Sequence, residues 1–116
     1  MQLNTETYKT FTELNCCVII PTYNNAATLG KVIEDVLVYT SNIIVINDGS
    51  TDSTKTILDG YPGLKVLHFP VNCGKGYALR KAIKLAHGEG YRYGITIDSD
   101  GQHLASDLPV FLEKIK

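Results

Sequence analysis

The fold of this chain is decided by the segment Tyr93-Gly-Ile-Thr-Ile-Asp-Ser-Asp-Gly-Gln-His103. Its first half predicts a short buried strand, because the β-branched residues Ile95 and Ile97 flank a threonine. Its second half places Asp98 and Asp100 where that strand ends, with an amide and an imidazole directly after them. In open parallel α/β sheets, ligands bind beyond the carboxyl ends of the strands. Oxygen ligands suit hard cations such as Mg²⁺ and Mn²⁺, so this turn is a candidate binding site.

An Asp-x-Asp turn of this kind has two interpretations. In the first, one carboxylate binds a metal ion while the other binds a hydroxyl group of a sugar or ribose. In the second, Asp98 and Asp100 only cap a turn or the next helix, as aspartate often does. The other strand ends of the chain favour the first interpretation.

Length, charge and hydropathy restrict the class of protein. A chain of 116 residues is one domain or part of one, and it can bury roughly two-thirds of its unfolded surface. The 11 Lys and Arg residues against 12 Asp and Glu give a net charge of -1, which offers no electrostatic argument for binding nucleic acid or an anionic membrane. No apolar run approaches the roughly 18 residues of a membrane span, and residues 1–15 lack the apolar core of a signal peptide.

The three cysteines favour reduced thiols over disulfides or a zinc site. Cys16 and Cys17 are adjacent within a predicted strand, and Cys73 lies far from both. No Cys-x-x-Cys pair and no Cys/His spacing typical of zinc is present in the sequence. We therefore expect buried, reduced thiols in a cytosolic domain.

Strand and helix patterns alternate after a short lead-in. Residues 1–14 lack clear periodicity and are predicted to be an extended or frayed lead-in to a domain over residues 15–116. Apolar runs predict buried strands at 16–20 and 43–46, and residues 64–69 are predicted to form a third strand, ahead of the strand that ends at the Asp-x-Asp turn. A helical pattern follows each strand. Four βα units in succession predict an α/β fold with a parallel sheet covered by helices on both faces.

The predicted helices have recognisable faces and ends. The apolar face of the first helix consists of Leu29, Val32, Ile33, Val36 and Leu37. The apolar face of the third helix consists of Leu79, Ala82, Ile83 and Ala86. Asn24 or Asn25 is expected to cap the first helix. Ser50 is expected to cap the second helix, which ends at Gly60. A last helix is predicted from near Ser106 to the end of the chain.

The four strand ends carry the unusual chemistry, and in a parallel sheet they share one edge. They offer residues 21–24, then Asp48 and Asp52, then residues 72–76, and last residues 98–103. Several acidic groups, a loop lysine and several glycines converging there could bind a nucleotide diphosphate and a cation. Each feature alone has an ordinary structural explanation as a helix cap, a turn residue or a solvated side chain. Their repetition at strand ends is what favours a binding site.

Three familiar sites are excluded by inspection. The sequence has no Gly-x-x-x-x-Gly-Lys-Ser/Thr loop, which argues against a P-loop NTPase. The run Gly74-Lys75-Gly76 has Leu79 where a dinucleotide fingerprint has glycine, and it follows the third strand rather than the first. No Ser or Cys lies in the context of a nucleophile elbow.

Four segments, in order along the chain, resemble the family-two inverting glycosyltransferases. They are Cys17-Val-Ile-Ile-Pro-Thr-Tyr-Asn-Asn25, Ile44-Val-Ile-Asn-Asp-Gly-Ser-Thr-Asp52, Asn72-Cys-Gly-Lys-Gly-Tyr-Ala-Leu-Arg80 and Ile97-Asp-Ser-Asp-Gly-Gln-His103. The segments look most like the dolichol-phosphate mannosyltransferase-like branch, whose members transfer sugars to polyprenyl phosphates. The resemblance runs from about Cys17 to the end. It implies a Rossmann-like nucleotide-diphospho-sugar transferase fold, of which this chain would be the N-terminal, nucleotide-sugar-binding half.

The resemblance also implies roles for individual residues. The implied nucleotide-sugar-binding residues are Pro21, Thr22, Tyr23, Asn25, Asp48, Lys75, Arg80 and Asp98. Tyr23 and Asp48 would lie at the base or ribose. Lys75 and Arg80 would lie near the diphosphate. Asp98 would meet hydroxyl groups of the ribose or of the sugar.

The implied cofactor is Mg²⁺ or Mn²⁺, bound by Asp100 and Gln102. It would neutralise charge on the departing nucleoside diphosphate during a single displacement. A hydroxyl acceptor needs a general base, whereas a phosphate acceptor is already ionised and needs none; no general base can be assigned in this chain. The chain departs from many members of the family at Asn25, where they have Glu, and at Asn47, where they have Asp. Both differences remove a negative charge at the nucleotide end.

The implied partners are a nucleotide-diphospho-sugar donor and a lipid-phosphate or saccharide acceptor, without nucleic acid. A cytoplasmic location at the inner face of the membrane is expected. By the resemblance, the acceptor site would lie further along the chain, so we expect the isolated chain to bind nucleotide weakly and to be inactive in transfer. We also expect self-association through an unpaired edge of the fourth strand.

Two other functions stay open at this point. A non-catalytic nucleotide or nucleotide-sugar-binding module would use the same strand ends. A nucleotidyltransferase also places metal-binding aspartates on an α/β sheet, but it would need a glycine-rich, basic loop directly after the first strand. Residues 21–25 contain neither glycine nor a basic residue, which counts against it.

Overall fold

A computed structural model describes residues 2–116 as an α/β fold built on a four-stranded parallel sheet. The strands are β1 (Cys16–Thr22), β2 (Ile43–Asp48), β3 (Lys65–Phe69) and β4 (Tyr93–Thr96). The helices are α1 (Thr5–Leu14), α2 (Ala26–Leu37), α3 (Thr54–Asp59), α4 (Lys75–Gly88) and α5 (Leu108–Ile115), with a 3₁₀ turn at Ala105–Asp107 before α5. The strand order is β3-β2-β1-β4, and every neighbouring pair is parallel. The predicted alternation of strands and helices is confirmed.

The central strand β1 extends two residues beyond its predicted end at Ile20. It includes Pro21, which has no N–H to donate to a neighbouring strand. The N–H of Val18 faces β2, where it donates to Asn42 O, and successive residues face opposite sides. The nitrogen of Pro21 therefore faces β4, whose last pair with β1 is Ile19 with Thr96. The missing N–H of Pro21 therefore costs the sheet no hydrogen bond, because β4 has already ended at this level.

Both faces of the sheet are covered, as predicted, but by different numbers of helices. The face of Val18 and Ile20 packs against residues from α1, α2, α3 and α5. The opposite face, which carries Cys17 and Ile19, packs against α4. The predicted apolar face of α2 is confirmed, because four of its five residues are buried and Leu37 is partly buried. Cys16 and Cys17 thus point to opposite faces of one buried strand.

The segment before β1 is a helix, so the prediction of an extended or frayed lead-in is wrong. Asn4 caps α1 by accepting a hydrogen bond from Thr7 N (3.1 Å). Phe11 is fully buried in the larger core cluster, and the hydroxyl of Tyr8 donates to Leu37 O at the end of α2. One buried aromatic residue and one cap hold a helix whose polar sequence shows little periodicity.

The predicted buried face of α4 is confirmed at Ala82 and Ala86 and differs elsewhere. Ala78, Ala82 and Ala86 are buried on the sheet, whereas Ile83 is 60% exposed and Leu79 is only partly buried. The alanines recur every fourth residue, and their small side chains let the helix lie close to the strands. The larger apolar residues therefore fall to the sides of the contact line.

All three cysteines are free, and two of them are buried. Cys16 and Cys17 are free and fully buried, and burial raises the pKa of the Cys16 thiol to about 12 and that of Cys17 to about 11. Cys73 is free but exposed, so the prediction of burial is wrong there, because it lies in the loop between β3 and α4. Over residues 2–116, none of the helices has the length and apolarity needed to cross a bilayer.

Candidate functional site

A cavity of about 330 Å³ opens at the carboxyl edge of the sheet. Its lining residues come from all four strand ends: Pro21, Thr22, Tyr23, Asn25, Asp48, Asn72, Gly74, Lys75, Ala78, Asp98, Ser99 and Asp100. Eight of the ten predicted site residues are therefore brought together. Arg80 and Gln102 lie outside the lining. The guanidinium of Arg80 lies 5.9 Å from the ring centroid of Tyr77, further along α4.

The turn after β4 presents two carboxylates at this cavity. Asp98 Oδ1 accepts a hydrogen bond from Lys75 Nζ at 2.7 Å, and the N–H of Asp98 donates to His103 Nδ1 at 3.2 Å. Asp100 is exposed, and its Oδ1 accepts from the backbone N–H of Gln102 at 3.0 Å. A lysine and two carboxylates thus share the mouth of the cavity.

The residue between the two aspartates is buried and held by the start of α2. Ser99 is 2% exposed, and its Oγ accepts a hydrogen bond from Asn25 Nδ2 at 2.8 Å. Its carbonyl oxygen accepts from Thr28 Oγ1 at 2.6 Å. This anchor fixes the middle of the turn, so that Asp98 and Asp100 flank it at the cavity. The sequence reasoning missed Ser99 and Thr28, because their partners lie 74 and 71 residues away in the chain.

The caps of α2 and α3 both depend on Asp52, one of the acidic groups predicted at the strand ends. Its Oδ2 accepts from Ala26 N at 3.1 Å, and its Oδ1 accepts from Thr54 N at 3.0 Å. Asn25 occupies the N-cap position of α2 but makes no side-chain cap bond there. Ser50 does not cap α3; its hydroxyl accepts from the N–H of Asn24 instead. One carboxylate therefore ties the loop after β2 to the loop after β1.

Asp52 should give the stability of the fold an acidic pH dependence. The hydrogen bond from the Thr54 side chain holds the pKa of this carboxyl below its usual 3.8. A lowered pKa means that the stabilisation is fully present above the unfolded value of about 3.9 and is lost as the pH falls through the folded value. In urea unfolding, we expect the stability difference between the original chain and Asp52→Asn to be constant from about pH 7 to about pH 5 and to shrink below about pH 4.

Thr54→Val is the matched variant for this measurement, because it removes the donor that lowers the pKa of Asp52. Its loss of stability with acid should be smaller than that of the original chain, because the folded and unfolded pKa values of Asp52 then lie closer together. A difference between the original chain and Asp52→Asn that does not change with pH would contradict the assignment.

A buried carboxylate, that of Asp48, holds the loop between β3 and α4. Asp48 is 4% exposed; its Oδ1 accepts from Cys73 N at 2.7 Å, and its Oδ2 accepts from Gly74 N and from Asn72 Nδ2, both at 3.1 Å. The next residue, Gly49, has a φ of 72°. A Cβ at Gly49 would lie 2.2 Å from Asn72 N, so the loop crosses directly over its Cα.

Thr22 adds a polar atom that the protein leaves without a partner. The residue is 3% exposed and lines the cavity. Its hydroxyl is the one buried side-chain oxygen or nitrogen in residues 2–116 that makes no hydrogen bond. Buried polar groups are ordinarily satisfied, which makes this hydroxyl a candidate for contact with a ligand.

The donor set of the cavity suits a hard divalent cation. Asp100 offers an exposed carboxylate, and Asp98 lies two residues before it. Carboxylate oxygens are the ligands that Mg²⁺ and Mn²⁺ prefer. In the part of the chain that the structure describes, no group of three or more His, Cys, Asp and Glu side chains is placed to hold a metal ion.

Residues 17–116 match the family model described as glycosyl transferase family 2. A dolichyl-phosphate beta-glucosyltransferase from Trichomonas vaginalis is 31% identical over 114 residues, which cover 85% of this chain and 34% of the relative. An undecaprenyl-phosphate mannosyltransferase from Micrococcus luteus is 32% identical over 106 residues, covering 84% of this chain and 43% of the relative. The chain thus spans less than half the length of these two relatives.

Solved structures give the same result. The chain superimposes on glucosyl-3-phosphoglycerate synthase from Mycobacterium tuberculosis, in complex with Mn²⁺, UDP-glucose and phosphoglyceric acid, with a TM-score of 0.71 and 26% identity. The match covers 96% of this chain and 42% of the synthase chain. The same synthase in complex with Mg²⁺ and UDP matches with a TM-score of 0.61. The sheet, the cavity at its carboxyl edge and the match over residues 17–116 agree, and the chain belongs to glycosyl transferase family 2.

Proposed function

We propose that this chain is the donor-binding part of an inverting glycosyltransferase that takes a nucleotide-diphospho-sugar together with Mg²⁺ or Mn²⁺. The observation that carries the proposal is the cavity where all four strand ends meet, lined by three aspartates, a lysine and an unsatisfied threonine hydroxyl. The synthase of the same fold holds UDP-glucose with Mn²⁺ in one structure and UDP with Mg²⁺ in another. UDP-sugars are therefore the first donors to test.

The nucleoside would lie along Pro21, Thr22 and Tyr23, with Asn25 at the end of that segment. The Tyr23 side chain is 48% exposed, so a base or ribose can pack on it without displacing core residues. Thr22 would supply its hydroxyl to the ligand and so satisfy a buried polar group. The amide of Asn25 holds Ser99, and this gives the departure from glutamate a structural use.

The diphosphate and sugar would lie between α4 and the turn after β4. Lys75 would contact the diphosphate, and Asp98 would accept hydrogen bonds from ribose or sugar hydroxyls. In the structure these two side chains pair with each other at 2.7 Å, and each is partly exposed. Arg80 would approach the diphosphate side only by leaving Tyr77, so its part depends on a change of side-chain conformation.

Asp100 and Gln102 would hold the divalent cation. When bound, the cation supplies positive charge that stabilises the departing nucleoside diphosphate. The exposed carboxylate of Asp100 lies in the cavity lining, while the side chain of Gln102 lies outside it. The backbone N–H of Gln102 orients the Asp100 carboxylate through a 3.0 Å hydrogen bond.

The acceptor is proposed to be a polyprenyl phosphate, with a saccharide as the alternative. Two relatives are named for transfer involving dolichyl phosphate and undecaprenyl phosphate. A phosphate acceptor is already ionised, which fits a site in which no general base has been assigned. The corresponding location is cytoplasmic, at the inner face of a membrane.

Self-association along β4 also belongs to this proposal, because within residues 2–116 this strand pairs only with β1.

A thermal-shift panel of UDP, UDP-glucose, GDP, GDP-mannose and ATP, each with and without Mn²⁺, tests donor binding. With Mn²⁺ present, we expect a nucleoside diphosphate or its sugar to raise the apparent stability by about 2.7 kcal/mol at 100 times its dissociation constant. Without Mn²⁺, the same ligand concentration should give a smaller rise in stability. Lys75→Ala should lower the shift. Lys81→Ala, which removes a lysine from the outer side of the same helix, is the matched control.

Other outcomes would point elsewhere. Equal shifts from UDP and ATP would favour a nucleotidyltransferase, and binding that does not respond to sugar or metal would favour a non-catalytic module. No shift with any nucleotide would contradict the proposal.

A further inference from the structure

We propose that Asp48 is a positioning residue: it holds the loop before α4 so that Lys75 stands at the mouth of the cavity, and it does not bind the nucleoside. The inference deepens the proposed donor site and rests on that proposal. It replaces the contact with base or ribose that the family resemblance implies. Asp48, Gly49 and the loop residues 71–74 that they hold together form a clamp.

The first observation is the set of donors around the Asp48 carboxylate. Both carboxylate oxygens accept hydrogen bonds from the loop: Cys73 N at 2.7 Å, and Gly74 N and Asn72 Nδ2 at 3.1 Å. The Asn72 side chain also donates to the backbone oxygen of Asp48 at 3.1 Å. Hydrogen bonds to a charged acceptor are shorter and stronger than neutral ones, and a buried carboxylate requires them.

The second observation is the close fit of the loop over Gly49. A Cβ at this position would meet Asn72 N and Val71 C, each at 2.2 Å. The backbone of Gly49 has a positive φ of 72°, a conformation that L side chains rarely adopt. Two neighbouring residues at the end of β2 therefore hold the same loop. Asp48 binds it through hydrogen bonds, and Gly49 leaves the space in which it packs.

The third observation is that the loop has few other ties to the fold. Gly74 O accepts a hydrogen bond from Ala78 N in the first turn of α4. Within residues 2–116, every other hydrogen bond from residues 71–74 to another element is made with Asp48. Most of the loop is exposed, and Val71 is 64% exposed. Loss of the Asp48 carboxylate would leave the loop without its main tether.

The clamp acts on Lys75 through one residue. Gly74, whose N–H donates to Asp48, is the N-cap of α4 with a φ of 93°, and Lys75 is the first residue of that helix. Lys75 Nζ then reaches Asp98 Oδ1 at 2.7 Å across the mouth of the cavity. The position of the ammonium group thus depends on the loop, and the position of the loop depends on Asp48.

A direct role for Asp48 in holding the nucleoside fits these contacts poorly. Its side chain already has a donor on each oxygen, and the residue is 4% exposed. A ligand that competed for the carboxylate would have to release the loop that carries Lys75. The two roles therefore predict different losses when Asp48 is changed.

The experiment uses the full 116-residue chain, labelled with ¹⁵N, in Mg²⁺, with UDP and uridine as probes. Amide exchange and binding are measured for the original chain, Asp48→Asn, Lys75→Ala and the double variant. Asp59→Asn, an exposed aspartate at the end of α3, is the matched control.

We expect Asp48→Asn to speed exchange of the Cys73 and Gly74 amides about tenfold or more and to weaken UDP binding about tenfold, the loss of roughly one charge-assisted hydrogen bond. Uridine binding should stay within about twofold, because uridine has no diphosphate for Lys75 to contact. In the Lys75→Ala background, Asp48→Asn should change UDP binding by less than about twofold, since residues that act as a unit are not additive.

Equal losses for uridine and UDP, additive losses in the double variant, or unchanged amide exchange would each overturn the clamp. If Asp48→Asn does not fold, Asn72→Ala removes the loop's side-chain donor, and it should speed exchange of the same two amides. Failure of the donor-binding proposal is separate: the original chain would bind no UDP, while the exchange measurement still reports whether Asp48 holds the loop.

Discussion

Replacing Gly49 with alanine is expected to destabilise the fold by about 2 to 5 kcal/mol and to remove nucleotide binding with it. Alanine pays for the left-handed φ of 72°, and its Cβ would meet the backbone of Val71 and Asn72 at 2.2 Å. Those atoms belong to the main chain of a loop held from below by Asp48, so they cannot move aside without breaking its hydrogen bonds. Urea unfolding followed by circular dichroism measures the loss of stability.

Gly30→Ala is the matched control for this substitution. Gly30 lies within α2, and a Cβ added there meets nothing within 4 Å. Alanine in the interior of a helix should therefore stabilise the chain by about 0.5 to 1 kcal/mol. The same change from glycine to alanine thus has opposite signs at the two positions. A Gly49→Ala chain as stable as the original would show that the loop does not cross Gly49 as described.

Replacing Asp100 with alanine is expected to abolish the Mn²⁺-dependent part of nucleoside-diphosphate binding and to leave the fold intact. Asp100 is exposed, so its loss opens no cavity in the core. Loss of groups that only support a metal ligand lowers metal affinity by about 10- to 100-fold, and loss of a ligand itself should cost no less. Calorimetric titration of UDP with and without Mn²⁺ measures the effect.

The matched control is Asp59→Ala, which removes an exposed carboxylate far along the chain from the turn. Its Mn²⁺ enhancement should equal that of the original chain. If Asp100→Ala shows an undiminished enhancement, the metal is held elsewhere. If the variant loses nucleotide binding equally with and without Mn²⁺, Asp100 contacts the nucleotide rather than the cation.

The architecture was predictable because its elements depend on short-range patterns. The continuous apolar runs of β1 and β2 are typical of strands buried on both faces, and the spacing from Leu29 to Val36 is typical of one helix face. Parallel connection then places every strand end at the same edge. Eight of the ten predicted site residues meet in one cavity for that reason.

The remaining features depend on contacts between distant residues, which no local pattern contains. Helix α1 is held by Phe11, a single buried aromatic residue in a polar segment. The buried side of α4 consists of alanines, of which Ala78 was not predicted, and the hydrophobicity of Ile83 made that exposed residue look like part of the core. The partners of Asp48 lie 24 to 26 residues away, so its sequence context gives no sign that its oxygens are already engaged.

The unequal covering of the two faces of the sheet implies a gradient of local stability across the molecule. The fully buried side chains of α4 are alanines, with Leu79 and Leu85 only partly buried beside them, whereas the opposite face receives Phe11, Leu29 and other large side chains. Because hydrophobic stabilisation scales with the apolar area buried, at roughly 25 cal/mol per Å², α4 is held by the smaller share. Subglobal opening should therefore begin with α4, which carries Lys75. A nucleotide-sugar that contacts this lysine would bind to the helix that opens first. Part of its binding free energy would therefore go into keeping α4 packed on the sheet.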